Sequence, residues 1–361
     1  MQLYSAHGSK IGLVLLLTFL LPNILSGQVN QNKQKARDIL SKAIDTMDQG
    51  DVKSAITMLN EACSLDPETP EYLFELGYAY YLNKDYSKAI EILNRTLSMK
   101  DVTDQYYQML GNIYDETGQS DSAIRIYNQG LEKFPNSGRL FLESGNMKKN
   151  APGEALRFYE EGINADPEFP SNYYNAAKIY CSSSERLWGV LYGEIFMLLE
   201  PGTKRTEKMS KLLFDTYSKA ILFESDTSIV ISFCKNETVI PGSNRLPYVS
   251  GLIEPVMAFS TFGENKITLE SLSRIRTNFI KNYFQNESAN QYKNILFEWH
   301  KTLIEEGVFE AYNHWLFMKG AEDEFLEWKK NNSEKFSSFI NWMKSNYLQI
   351  DNNHKLYSKN F

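Results

Sequence analysis

Between Leu73 and Leu93 the chain reads LFELGYAYYLNKDYSKAIEIL, two apolar stripes at helical spacing separated by a polar turn. The pattern predicts a pair of helices, with the small residues Gly77 and Ala89 where a larger side chain would face a neighbouring helix. A helix-interior glycine costs about 1 kcal/mol relative to alanine, so close packing has to offset it. A shift of 34 residues reproduces the pattern: Gly77 maps to Gly111 and Gly145, Leu76 to Leu110, Tyr80 to Tyr114, Ala55 to Ala89 and Ala123, and Leu59 to Leu93 and Tyr127. Pro67 and Pro135 stand two periods apart, Pro167 and Pro201 one, where each ends a second helix and opens the next unit. Self-similarity of this kind predicts an all-α solenoid of helical hairpins.

Five units follow, at 36–69, 70–103, 104–137, 138–169 and 170–203. The first carries Ala43 and Thr46 where later units have Gly and Tyr, and the fourth is two residues short in its turn KKNAPG. The amphipathic stretch TEKMSKLLFDTYSKAILF is expected to cap the stack, which occupies 36–222 after a linker at 28–35. Beyond Phe223 the period disappears. SIVISFC reads either as a short strand or as a buried extended connector, and NETVIPGSNRLP as a turn-rich crossing, together a connector over 223–249. Helical spacing returns through Leu272, Ile275, Phe279, Ile280 and Tyr283, then Ile295, Leu296, Trp299 and Leu303. A second, mostly helical domain over 250–361 is expected on the end of the solenoid, with the polar tail DNNHKLYSKNF frayed.

The stretches YLFELGYAYYLNKDYSKAIEIL and YYQMLGNIYDETGQSDSAIRIYNQGLEKFP resemble the tetratricopeptide repeat family, with its small-aromatic-Ala-Pro pattern recurring in phase. That resemblance implies a concave groove lined by the first helix of each unit. On it would lie Phe74, Tyr78 and Tyr81, then Gln108, Asn112 and Asp115, then Arg139, Leu142, Asn146 and Lys149, and finally Tyr174 and Lys178. Its aromatics would grip apolar side chains, its amides an extended backbone, and Arg139 with Lys178 a carboxylate. Some family members hold a terminal carboxylate with a set of Lys, Asn and Arg, and that set is not reproduced here, since Gln108 and Glu143 occupy comparable faces.

Composition adds limits. With 38 Lys plus Arg against 45 Asp plus Glu, a net charge of -7 argues against nucleic acid or an anionic membrane held by bulk electrostatics. The N-terminus places Lys10 before the apolar run Ile11 to Leu21, then Pro22 and the small pair Ser26 and Gly27, the pattern of a secretory signal peptide over 1–27 that falls short of a bilayer span. An uncleaved anchor is the alternative; once the leader is removed, no transmembrane span is expected. Together with this leader, the Asn-, Lys-, Tyr- and Phe-rich composition resembles that of exported repeat proteins of Bacteroidota.

Three scattered cysteines, Cys63, Cys181 and Cys234, exclude a disulfide framework or zinc site, and leave a Cys181 to Cys234 bridge open. No phosphate loop, serine elbow or zinc-protease helix is present, and no cofactor or metal is expected. His300 and His314 on amphipathic helices read as satisfied structural residues, although Glu298 and His300 could meet a distant partner. Trp299, Trp315, Trp328 and Trp342 read as core, the last two being the most exposed by context.

These features point to a non-enzymatic scaffold that binds a protein or peptide segment in an envelope or secreted complex. A contrasting reading makes the aromatic C-terminal half a glycan-binding or hydrolytic module, with the repeats as a docking handle. It requires exposed tryptophan and a carboxylate pair in one cleft. In a third, the groove is filled by the protein's own C-terminal domain.

Overall fold

The computed structural model describes residues 11–225, 228–235 and 246–361, with side chains from Asn30 onward. The first ten residues of the expected leader and most of the expected crossing NETVIPGSNRLP lie outside the described residues. Two compact units divide the chain, Met1–Phe134 and Pro135–Phe361.

The first unit is three helical hairpins: α1 (Ile11–Asp48) with α2 (Val52–Leu65), α3 (Pro70–Leu82) with α4 (Tyr86–Leu97), and α5 (Asp104–Glu116) with α6 (Ser120–Lys133). Residues 28–35, expected as a linker, are helical within α1. Asp51 and Asp85 start α2 and α4 by accepting the backbone N–H of Ser54 at 3.1 Å and Lys88 at 3.2 Å, which satisfies a donor the helix cannot. The turns between the paired helices of this unit place a left-handed residue at the same point of each hairpin. It is Gly50 (φ 90°), Lys84 (φ 62°) and Gly118 (φ 77°), one period apart, with lysine the strained member. A Cβ added to Gly77 would lie 2.7 Å from Leu93, and one added to Gly111 would lie 2.1 Å from the Tyr127 ring. Each glycine therefore admits a side chain from the second helix of its own hairpin.

The second unit begins with two more hairpins, α7 (Gly138–Asn146) with α8 (Pro152–Ala165) and α9 (Pro170–Cys181) with α10 (Arg186–Leu199), followed by α11 (Lys204–Ala220). A two-stranded antiparallel ribbon comes next, β1 (Ile221–Ser225) and β2 (Ser228–Ile231), pairing Ile221 with Ile231 and Leu222 with Val230. The strand half of the SIVISFC alternative is thus what forms. The expected capping helix stops at Ala220, because Ile221, Leu222 and Phe223, β-branched or bulky, pair with β2 instead. Phe233 and Cys234 leave the ribbon by donating their backbone N–H groups to the Glu254 carboxylate at 2.6 and 2.9 Å. After a π-helical turn at Tyr248–Ile253 come α12 (Glu254–Ser260), α13 (Leu269–Gln285), α14 (Ile295–Glu305), α15 (Phe309–Leu316), α16 (Glu322–Asn331) and α17 (Ser333–Ser345).

One apolar core runs through this unit from Ala155 to Leu356. Helix α10 is buried on almost every side, from Leu187 to Met197. Helix α11 does not end in solvent: Ser210 accepts the Lys319 backbone N–H at 3.0 Å, and Phe214 packs where a Gly320 side chain would be. At the centre of the core, Arg276 of α13 reaches both Glu194 oxygens of α10, at 2.6 and 2.8 Å, and Asn313 of α15 at 2.6 Å. His300 of α14 and Tyr312 of α15 bind the same Glu194 oxygen. His300 thus meets a distant carboxylate and acts as a satisfied core residue. Burial raises Glu194, but Arg276 and His300 together, through charge and hydrogen bonds, outweigh it and hold the carboxyl at about 2.

The tail departs from expectation. It is not frayed: Ile350, Leu356 and Tyr357 are buried, and Ser358 donates its N–H to the Tyr192 hydroxyl at 2.9 Å. Asp351–His354 lies open as an exposed turn, and Lys359 and Asn360 are exposed near the end. The apolar residues hidden among the polar ones supply the burial that a composition-based reading overlooks. Cys181 is buried beside Gly189 and Cys63 half-buried; both are thiols that burial pushes up to about 11, and no bridge joins Cys181 to Cys234.

Candidate functional site

The residues expected on the groove fall in both units, and each set has its own geometry. On α3 and α5, Tyr78 and Tyr81 stack with ring centres 6.2 Å apart. Tyr81 and Tyr86 both donate hydroxyls to Glu116, at 2.8 and 3.2 Å, which fixes an aromatic strip with an acidic anchor. That hydrogen bond, followed by burial, raises the Tyr81 phenol. Phe74 is not part of the wall: it is buried and stacks on Tyr106 at 4.5 Å. Asn112 and Asp115 are exposed and Gln108 half-buried. The Asn112 carbonyl accepts the Tyr127 hydroxyl at 2.6 Å, which turns the amide so that its NH2 is left as the donor to an incoming group.

In the second unit a cleft of about 620 Å³ opens between the ends of α7 and α9 and the start of α8, lined by Asn146, Lys149, Tyr159, Asn175, Lys178 and Ser182 among others. Three of the expected residues meet there, Asn146, Lys149 and Lys178, all exposed. Arg139, Leu142 and Tyr174 do not line it. Leu142 packs on the core, and Tyr174 lies against Phe196 at 4.9 Å beneath the Arg205 guanidinium. Asn146 is oriented from both sides, accepting the Tyr159 hydroxyl at 3.0 Å and donating to Glu143 at 2.9 Å. Among the described residues neither Lys149 nor Lys178 has an acidic partner within ion-pair distance; Lys178 sits over the Tyr174 ring at 5.2 Å. The cleft is therefore cationic, with the Asn175 amide beside two ammonium groups and with serine hydroxyls that donate to the Lys178 and Tyr180 carbonyls and present acceptor oxygens. Sequence reasoning missed Asn175, Ser182 and Ser183. The serines lie in the turn after α9, where the helix period no longer assigns a face.

The C-terminal tryptophans serve packing. Trp299 meets Tyr312 edge-on at 5.2 Å and Trp342 at 6.2 Å, while Trp328 stacks on His314 at 4.0 Å. Trp328 and Trp342 are half-buried, as their context suggested. A polar cleft of about 460 Å³ between α13 and α15 has Glu270, Arg274, Glu310 and His314 on its walls, but no tryptophan lines it. Glu270 is bound to Arg274, and Glu310 to Trp328 and Lys335. This cleft brings together the carboxylates of Glu270 and Glu310 without a tryptophan, whereas the glycan reading requires both in one cleft. Among the described residues no group of three or more His, Cys, Asp or Glu is placed to hold a metal ion, and no helix is long and apolar enough to cross a membrane.

Stacked antiparallel helix pairs with a 34-residue period, their glycines packed under the opposing helix, define a helical-hairpin repeat protein. The chain carries tetratricopeptide repeats: models described as TPR repeat and tetratricopeptide repeat match residues 46–84, 71–98 and 104–136. No curated protein matches the chain. Similar solved structures include Pseudomonas aeruginosa PilF, 14% identical with a TM-score of 0.43, covering 52% of this chain and 84% of its own. A thermophilic TPR protein of Thermus thermophilus, TTC0263, is 16% identical with a TM-score of 0.39, covering 49% and 98%. YrrB, described as a TPR protein with an unusual peptide-binding site, is 18% identical with a TM-score of 0.34, covering 50% and 94%.

Proposed function

We propose that this protein is a non-enzymatic scaffold, exported to the cell envelope, that binds an extended segment of a partner protein carrying an acidic side chain. The observation that supports this most directly is the cationic cleft at Asn146, Lys149, Asn175 and Lys178. Two ammonium groups receive a carboxylate, while amides and serine hydroxyls meet the main chain on either side of it. The tetratricopeptide repeats support the same reading, since repeats of this kind serve protein interaction. The apolar leader supports export.

The test is a library of extended peptides with a single Asp or Glu, screened by fluorescence polarisation at low and physiological salt. Binding should weaken at least tenfold in Lys149→Glu/Lys178→Glu, with the melting temperature unchanged because both side chains are exposed. Equal binding by the reversed variant removes the cleft from the function, and an intact Met1 on protein recovered from the native cell removes cleavage of the leader.

A further inference from the structure

Residues Lys355–Phe361 lie across α8 and α10 on a surface that shares no residue with the cationic cleft. The receptor side is a carboxylate beside an aromatic box. Glu160, buried in α8, accepts the Tyr180 hydroxyl at 2.8 Å and the Tyr192 hydroxyl at 3.3 Å, so its orientation is set without the tail. Trp188 and Tyr248 stand 5.9 Å apart, and Tyr248 and Tyr292 4.7 Å, already packed on one another.

Onto this ready surface the tail adds a short, directional pattern. The Ser358 hydroxyl donates to Glu160, its backbone N–H donates to Tyr192, and Lys359 pairs with Glu161 at 2.6 Å. Three residues after the serine, Phe361 enters the box, 4.6 Å from Tyr248, 5.3 Å from Trp188 and parallel to Tyr292 within 4°. The exposed Asp351–His354 turn and Tyr347, 65% exposed, precede it, so the segment can lift away without unwinding α17. Within it the regular structure is a single 3-10 turn, Ser358–Asn360, and the deepest anchor is Leu356, which is fully buried in the core and leaves it when the segment lifts.

We propose that this surface is a second peptide-binding site, occupied in cis by the chain's own tail. Its ligand class is a segment with a hydroxyl residue followed by lysine, and by an aromatic three positions after the hydroxyl. The reading does not depend on the cationic cleft. Tethering gives the tail an effective concentration on the order of millimolar, so a free segment competes poorly until the tail is displaced.

The test uses the full chain. In Ser358→Glu/Phe361→Ala the tail meets Glu160 with like charge and loses its anchor, which frees the site. A labelled peptide of residues 350–361 should then bind saturably with about 100-fold higher affinity than it binds the unsubstituted chain. The same peptide carrying Ser358→Glu should not bind, and Lys149→Glu/Lys178→Glu should leave the result unchanged. Equal binding to both chains, no binding to a folded double variant, or a double variant that has lost its fold by circular dichroism would each overturn the proposal, the last because the segment would then be core. As an independent reading on the unsubstituted chain, millimolar peptide should speed hydrogen exchange at the Ser358 amide, and unchanged protection counts against an exchangeable tail.

Discussion

Gly111 and Gly145 are each followed by an asparagine whose carbonyl accepts the hydroxyl of the tyrosine lying over the glycine, Tyr127 on Asn112 and Tyr159 on Asn146. Where the opposing residue is Leu93, which has no hydroxyl, the glycine is followed by Tyr78 instead. An alanine at 111 gains about 1 kcal/mol of helix propensity but forces an overlap costing about 1–3 kcal/mol, since its Cβ would sit 2.1 Å from the Tyr127 ring. Gly111→Ala should therefore destabilise, while Gly153→Ala, with nothing within 4 Å of the new Cβ, should stabilise by about 0.5 kcal/mol. Urea unfolding of the two variants decides; the opposite order would remove the packing reason for the glycine. The small positions were legible because they recur in phase. The Asn–Tyr bonds were not, because they join residues 15 and 13 apart on different helices and have no periodicity of their own.

At the scale of the element, helix pairs up to α10 follow the hydrophobic period closely, since each helix buries one face. Helix α10 itself is covered almost all round, and its one buried charge, Glu194, shows what covers it. Arg276→Met leaves Glu194 ionised and unpaired in the core and should cost about 3–5 kcal/mol. The pair Glu194→Gln/Arg276→Met should cost less than the single change by more than about 1 kcal/mol, because the two sites are in contact. Strict additivity in chemical denaturation would mean that the ion pair is not what holds Glu194. Neither this pairing nor the docked tail was legible in sequence. Both depend on long-range partners, Arg276 lying 82 residues from Glu194 and Ser358 198 from Glu160, and composition alone reads the tail as solvent-loving.

For the molecule as a whole, the pH response follows from what the second unit buries. Burial lowers His300 and His314 below the ordinary histidine value near 6.5, so the folded state holds them neutral. A lowered histidine contributes stability fully above that value and loses it as pH falls through it. Glu194, at about 2 against an ordinary 4.5, contributes above 4.5 and loses its share as pH falls from there toward 2. Calorimetry should show a melting temperature that declines first below about pH 6.5 and again below about pH 4.5; a flat profile from pH 7.5 to 4 would contradict the buried-histidine account.

The Glu194–Arg276 contact also bears on synthesis. A ribosome that has just added Glu194 still has 82 residues to add before the matching cation exists. Through that interval the apolar helix, already paired with α9, carries a carboxylate without its counter-charge. Only when α13 emerges can the half-built unit close over it.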